Sequence, residues 1–351
     1  MKELSKIIAE TPTSQGYWAL TWTQLRRNRL AIAALIIIIA LFVAAILAPV
    51  FAGARPIAMK AGGNIIFPAF GDYLPQKWDI QYSRIDWAHP EGALGRIEWK
   101  IMPPAPFDPN QSDLPHRYEK PGILHFLGTD DRGRDLASRL IWGSRISLSV
   151  GFVAVGIAIL IGIPLGAIAG YYGGYTDFVI LRLIEIFICF PVFFLILTIL
   201  AFLPQSIFNI MIVIGATGWV GPARLIRGEF LKAKTTPYVE ASRAAGARDS
   251  RIIFRHILPN AVAPVLVSAS FGVAGAILTE SALSFLGFGV PPPTPSWGES
   301  ISQAQNFIDA WWLTLFPGAA IFLTVTAYNL LGEGFRDATD PRLREAGRNK
   351  P

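Results

Sequence analysis

The residues of this chain that could do chemistry are few and scattered. A lone cysteine, Cys189, excludes an intramolecular disulfide and any multi-cysteine metal site. His89, His116, His125 and His256 make no helical His-Glu-x-x-His pair, so no metal site is expected. There is no Gly-Lys dipeptide, and therefore no Gly-x-x-x-x-Gly-Lys-Ser/Thr phosphate loop. No serine elbow or His/Asp/Glu cluster falls in an apolar run, and no catalytic residue is assigned. Three charged features remain. The Gly-broken turn Asp130-Asp131-Arg132-Gly133-Arg134-Asp135 reads as a structural clasp. Glu280 is a carboxylate at membrane depth, where ionisable groups are expensive and often functional; it reads as a pathway contact. Thr236 to Asn260 is a basic, alanine-bearing loop suited to letting a large partner surface come close.

The elements that must position these residues are membrane spans. Of the 351 residues, 52% are hydrophobic and 16% charged, whereas an ordinary soluble domain carries roughly 25% charge. Leu30 to Val50, Ile186 to Ala223 and Ala310 to Gly332 are uncharged over 21, 38 and 23 residues. About 20 helical residues cross the ~30 Å hydrocarbon core. Six spans are laid out, at residues 30–50, 146–169, 178–203, 207–225, 260–283 and 312–331. A turn at Pro204-Gln205-Ser206 divides the longest run. Ala52-Gly53-Ala54 resembles a signal cleavage site, but the first run is long and preceded by 29 residues, so it reads as a retained anchor.

Basic residues orient the spans. Residues 224–255 hold eight Lys and Arg against Glu229, Glu240 and Asp249, whereas residues 51–120 balance eight against eight. By the positive-inside rule the 224–259 loop and both termini are cytoplasmic. The expected fold class is an all-α integral membrane protein. Its parts are a cytoplasmic segment (1–29), a first helix (30–50), a large ordered extracytoplasmic segment (51–144), a five-helix core (145–335) and a cytoplasmic tail (336–351). The net charge of +6 is spent on topology, and no nucleic-acid partner is expected. Gly162 and Pro164 read as either flexing points or plain packing in the second span.

Within the cytoplasmic loop, Thr236 reads as an N-cap and Pro237 as a first-turn proline. Tyr238 to Ala245 favours a short helix, which Gly246 ends in a left-handed conformation. Asp249 is expected to cap a second short helix, stopped by Pro259. Glu240-Ala241-Ser242, Gly246 and Leu258-Pro259 resemble the EAA loop of ABC importer permeases. Ser242 stands where a second alanine is usual, and His256 where an aliphatic residue is common. Leu127 to Asp135, Gly170-Tyr171-Tyr172-Gly173-Gly174, Leu283 to Gly289 and Arg336 to Arg342 resemble the C-type subunit of dipeptide/oligopeptide permeases. The long insert after the first span loosely resembles variants associated with larger peptides or microcin C.

That resemblance implies a type I importer permease architecture in a bacterial inner membrane. It implies a coupling loop built from Tyr238, Glu240, Ala241, Ser242, Ala245, Gly246, Leu258 and Pro259. The implied partners are a homologous permease, two ABC ATPases and an extracytoplasmic binding protein, within membrane lipid. ATP and Mg belong to the ATPases, and this chain is expected to bind no cofactor and to be no enzyme. Arg243, Arg248, Arg251 and Arg255 are open to either lipid headgroups or the ATPase. Peptide import is the reading; a nickel chelate or other non-peptide solute is the alternative within the family. An ion-coupled carrier is the rival outside it, disfavoured because the spans carry almost no midplane charge.

Overall fold

The computed structural model describes residues 17–71, 85, 87 and 90–339. Trp78, His89 and the tail beyond Thr339, including Asp340, Pro341 and Arg342 of the Arg336 to Arg342 motif, lie outside them. Helix α1 (Tyr17–Arg27) leads into α2 (Arg29–Ile46), which Asn28 caps by accepting from the amides of Leu30 and Ala31. Among the described residues, five helices are long and apolar enough to cross a membrane, and a bent pair makes a sixth if it counts as one crossing.

Helix α3 (Leu136–Tyr172) runs 37 residues and begins ten before the expected span. At 1.5 Å per residue it is about 55 Å long, well beyond the hydrocarbon core. The extra turns follow from Asp135, whose carboxylate accepts from the Ser138 amide at 2.7 Å and caps the helix outside the apolar run. The expected straight span at residues 178–203 is corrected to two helices, α4 (Gly174–Cys189) and α5 (Val192–Phe202), meeting at 85°. Pro191 lacks an N–H, and Phe190 before it is extended at φ −99°, ψ 133°, so the helix cannot continue. Helices α6 (Ile207–Gly218) and α7 (Val220–Ala233) form one continuous crossing that outlasts its expected end by eight residues.

The bundle core joins α2 and α3 to two further helices, α9 (Ala263–Phe285) and α11 (Trp311–Thr339), around Ala34, Leu148, Ile277 and Ile321. Helix α3 also approaches α7 closely. A Cβ on Gly162 would lie 2.7 Å from the Trp219 carbonyl oxygen, one on Gly166 2.3 Å from that of Ala223, and one on Gly170 2.6 Å from the Phe230 Cβ. The stripe at intervals of four is therefore a packing seam. Gly162, read from the sequence as either a flexing point or plain packing, makes a packing contact, and α3 passes Pro164 without ending.

The segment after α2 adds what an all-α reading omits, a three-stranded antiparallel sheet of order β2-β1-β3. Strands β1 (Ala58–Ala61) and β2 (Asn64–Ile66) are joined at Gly62-Gly63, both at positive φ, and β3 (Ile97–Ile101) pairs with β1. Met59, Ala61 and Ile66 pack with Trp87, Leu94 and Ile97 beneath it.

A buried charge network ties this segment to the helices. Asp130 accepts from the amides of Arg132 and Arg134, both at 2.9 Å, and from Arg134 Nε at 2.6 Å. Arg139, fully enclosed on α3, donates to the Pro109 carbonyl at 2.8 Å and to Glu299 at 2.5 Å. Glu299 lies on the short helix α10 (Trp297–Ser302). His125 Nδ1 pairs with Asp135 at 2.9 Å. Three indoles pin the same region: Trp142 Nε1 donates to the Ala52 carbonyl, Trp297 to that of Leu140 and Trp312 to that of Thr129. The charged turn is thus a clasp, as its sequence reads.

Two stability outcomes follow. Gly166→Val is expected to cost roughly 1–3 kcal/mol by overpacking the seam, whereas Gly156→Ala, with nothing within 4 Å of its Cβ, is expected to leave stability unchanged or slightly raised. Thermal unfolding of the two variants in one detergent measures the difference. Arg139→Met strips Glu299 of its closest cation, and breaking such a buried pair costs about 3–5 kcal/mol. Protease added to the detergent-solubilised chain should then cut residues 102–135 at lower temperature than in the parent chain.

Candidate functional site

The loop of residues 234–260 begins where α7 ends. Helix α8 (Pro237–Ala244) starts after Thr236, whose extended backbone fits the N-cap position. Its hydroxyl, however, donates to the Ala233 carbonyl at 2.5 Å, fastening the turn to α7 in place of a side-chain cap. At the other end Gly246 has φ +77°, its amide donates to the Arg243 carbonyl, and the Ala247 amide reaches back to that of Ser242. These two bonds form a Schellman motif, so glycine terminates α8 as expected.

Two expectations for the second half are corrected. Arg248, not Asp249, sits at the N-cap of the Asp249–Arg251 turn. The Asp249 carboxylate accepts instead from the Tyr171 hydroxyl at 2.6 Å. Pro259 does not stop the chain. Ile252–Ile257 is a π-helical turn in which the Leu258 amide reaches the Ile253 carbonyl. The widened register accommodates the proline, which lacks an N–H and crowds the carbonyl four residues back. Residues Leu258–Ala261 then lead directly into α9.

The loop is seated by apolar burial and a polar latch. Val239 is fully enclosed among Ala167, Tyr171, Ile226, Phe230, Ile252 and Ile257, with Leu258 at the rim. Tyr171, at the end of α3, both donates to Asp249 and carries the Arg243 guanidinium over its ring at 5.9 Å. The tyrosine contact holds the Arg243 pKa above the usual guanidinium value. What faces outward is the remainder of α8: Tyr238, Glu240, Ala241, Ala245 and Gly246 are exposed, and Ser242 is half-buried with its hydroxyl on the Tyr238 carbonyl. Pro259 is exposed at the loop's far end. Arg243, Arg248, Arg251 and Arg255 are exposed on the same loop. Phe254, 68% exposed, was not singled out from the sequence. Its signal is an aromatic among the apolar residues of the Ile252–Ile257 turn, pointing away from the cluster that Ile252, Ile253 and Ile257 fill. Asp177 and Arg227 join α4 to α7 beside the loop through two bonds of 2.5 and 2.7 Å.

Within the membrane-depth region a cavity of about 400 Å³ opens between α3, α5, α6, α7 and α9. Its walls include Ala154, Ile196, Pro222 and Gly275, and their polar side chains are the hydroxyls of Thr217, Ser268 and Thr279. Glu280, the expected pathway contact, is not among them. It is fully buried on another side of α9, accepting from Ser284 at 2.8 Å and from Ser296 at 3.1 Å, which makes it a strut between α9 and the α10 cap.

Comparison with known proteins agrees with this arrangement. Residues 16–77 match the N-terminal TM domain of oligopeptide transport permease C. A dipeptide transport system permease protein DppC of Alkalihalophilus pseudofirmus is 42% identical over 230 residues, covering 65% of this chain and 76% of the relative. The oligopeptide transport system permease protein OppC of Bacillus subtilis is 39% identical, covering 68% and 79%. The peptidoglycan transport system permease protein YejE of Agrobacterium fabrum is 33% identical over 350 residues, 92% of both chains. Residues 162–345, which hold the glycine seam, the α8 loop and the cavity walls on α6, α7 and α9, match the binding-protein-dependent transport system inner membrane component, and the chain belongs to that family.

Proposed function

We propose that this chain is the permease subunit of an ATP-driven peptide importer of the C type. It pairs with a homologous permease, receives solute from an extracytoplasmic binding protein, and is moved by two ATPases that bind ATP and Mg. The observation that carries this reading is the outward face of α8, where Tyr238, Glu240, Ala241 and Gly246 stand exposed on a loop latched to the core by Val239 and Tyr171. A helix that encloses one residue, half-buries Ser242 and leaves the others exposed is shaped to be covered by something else. Because the latch engages both α3 and α7, a push on α8 is delivered to two crossings at once. Nothing covalent happens to the solute; ATP-dependent closure shifts the populations of inward- and outward-open states.

In this reading the loop and the chain termini are cytoplasmic, and the β-sheet segment lies outside. Peptide is favoured as solute because the relatives are named for dipeptide, oligopeptide and peptidoglycan transport. A peptidoglycan-derived peptide is the second reading, supported by the YejE relative matching along 92% of this chain against 65% for the dipeptide relative.

Glu240→Arg and Gly246→Val test the coupling role. Arginine reverses the charge of the exposed face, and valine is strained at φ +77° although space is open around it. Each variant is expected to remain inserted while recovering at least tenfold less ATPase on purification. Unchanged ATPase recovery with both variants would sink the coupling role of this loop.

A further inference from the structure

The three-stranded sheet has two unlike faces. Side chains alternate across each strand, and the register sets Met59 opposite Ile66 on the face that packs with Trp87 and Leu94. The other face carries Lys60 opposite both Ile65 and Trp99, and Ala58 opposite Ile101. Phe67, two positions beyond Ile65, continues that face. Ile65, Phe67, Trp99 and Ile101 are between 40% and 56% exposed. Four large apolar side chains bared on so small a sheet mark a surface that something covers.

Attachment to the first crossing identifies the occupant. The turn Ala48–Phe51 continues α2, and the Phe51 carbonyl accepts from the Ala105 amide at 3.1 Å. The Gly53 amide donates back to the Ala105 carbonyl at 3.0 Å. Ile101 is four residues from Ala105, so it lies within about 14 Å of that helix end even on a fully extended chain. The polar layer of a bilayer extends roughly 5–7 Å beyond the hydrocarbon, and the root of the sheet stands in it. Trp142, of a residue type enriched at that depth, donates from its indole to the Ala52 carbonyl at the same root. Along α2, Ile36, Ile39, Val43 and Ile46 are exposed at helical spacing, and Phe51 carries this apolar stripe on toward the sheet.

Across the bare face, polarity rises with distance from the root. The nearer row, Phe67, Ala58 and Ile101, is wholly apolar. The farther row, Ile65, Lys60 and Trp99, adds an indole and an ammonium group. Beyond it lies the turn, with Gly62, Gly63 and the exposed Asn64. Lys60 is paired with Glu98 at 2.7 Å, so the face carries no net charge. Apolar residues nearest the crossing, then tryptophan and lysine, then polar residues is the order in which a bilayer interface is layered.

We propose that this face is a monotopic membrane anchor, seated in the leaflet where α2 ends. Phe67 and Ile101 point toward the acyl chains, and Trp99 and Lys60 lie among the headgroups. The sheet thereby pins to the bilayer a segment whose other end Arg139 holds to α3 and α10 through the Pro109 carbonyl and Glu299.

The test uses the full-length chain with its co-purifying subunits in nanodiscs of phosphatidylcholine and phosphatidylglycerol. In a Cys189→Ser background a nitroxide is attached at Phe67→Cys, Ile101→Cys, Asn64→Cys or Ile46→Cys. Its collisions with oxygen and with a water-soluble nickel chelate are then measured. Ile46 reports the crossing and Asn64 the distal turn. The oxygen-to-chelate ratio at Phe67→Cys and Ile101→Cys is expected to be severalfold that at Asn64→Cys and to approach that at Ile46→Cys. A ratio no higher than at Asn64→Cys overturns the anchor. Exclusion of both colliders from the two positions also overturns it, because that pattern marks a protein surface seated there. The unlabelled chain supplies a second reading. Brominated lipid is expected to quench a component of the parent's emission that Trp99→Phe lacks, and an equal quenched fraction in both overturns the seating of Trp99. Neither readout involves ATPase recovery, so failure of the anchor leaves the importer reading standing.

Discussion

Helices α3 and α7 meet at a separation that side chains larger than hydrogen do not allow at Gly162, Gly166 and Gly170, and the loop carrying α8 hangs from that seam. One helix carries Tyr171 at its inner end and the other runs into Thr236. With the two backbones in contact, the cluster around Val239 can draw residues from both, and the Tyr171–Asp249 bond can span 78 residues of sequence. In hydrocarbon no hydrophobic force favours helix against helix, so close van der Waals contact does the holding. Loosening the seam would separate the loop's two anchors before it altered any residue on the loop.

The outer end is organised by the opposite physics. Asp130, Arg134, Arg139 and Glu299 are all nine-tenths or more enclosed. Burying such charges carries a desolvation cost of several kcal/mol per ion, offset only when geometry and hydrogen bonding are nearly complete. Here the Asp130 carboxylate takes three donors and Arg139 reaches both a carbonyl and a carboxylate. A network of this kind contributes uniqueness of arrangement more than net stability. Its members come from the outer segment, α3 and α10, so only one docking of those three parts satisfies them all.

Much of this was legible in the sequence, and the parts that were not share a cause. Uncharged runs located the crossings because hydropathy reports what lipid touches. The same signal says nothing of the turns by which α3 extends past the membrane, where Asp135 rather than an apolar residue sets the start. The break at Pro191 was hidden inside a run of unbroken apolarity, though the proline itself was the clue. The sheet was signalled by Gly62-Gly63 between short strands, too brief for periodicity to register. On the loop, Pro237, the helix and Gly246 followed from local rules. Asp249 and Glu280 did not, because their partners Tyr171 and Ser296 are distant in sequence and a single chain of letters carries no contact between them.

The placement of charge also separates the routes by which such a protein could be driven. The walls of the membrane-depth cavity carry no ionisable side chain, and Glu280, the carboxylate nearest in sequence to Thr279, is turned away and held by two serines. A carrier that exploits an ion gradient needs a group in the passage that gains and loses that ion as access alternates. The cavity presents small apolar surfaces and hydroxyls, which neither store a charge nor hold a solute tightly. Such a surface suits a step in which affinity resides elsewhere and the motion is imposed from outside. In the importer reading proposed above, the exposed face of α8 is where that motion enters.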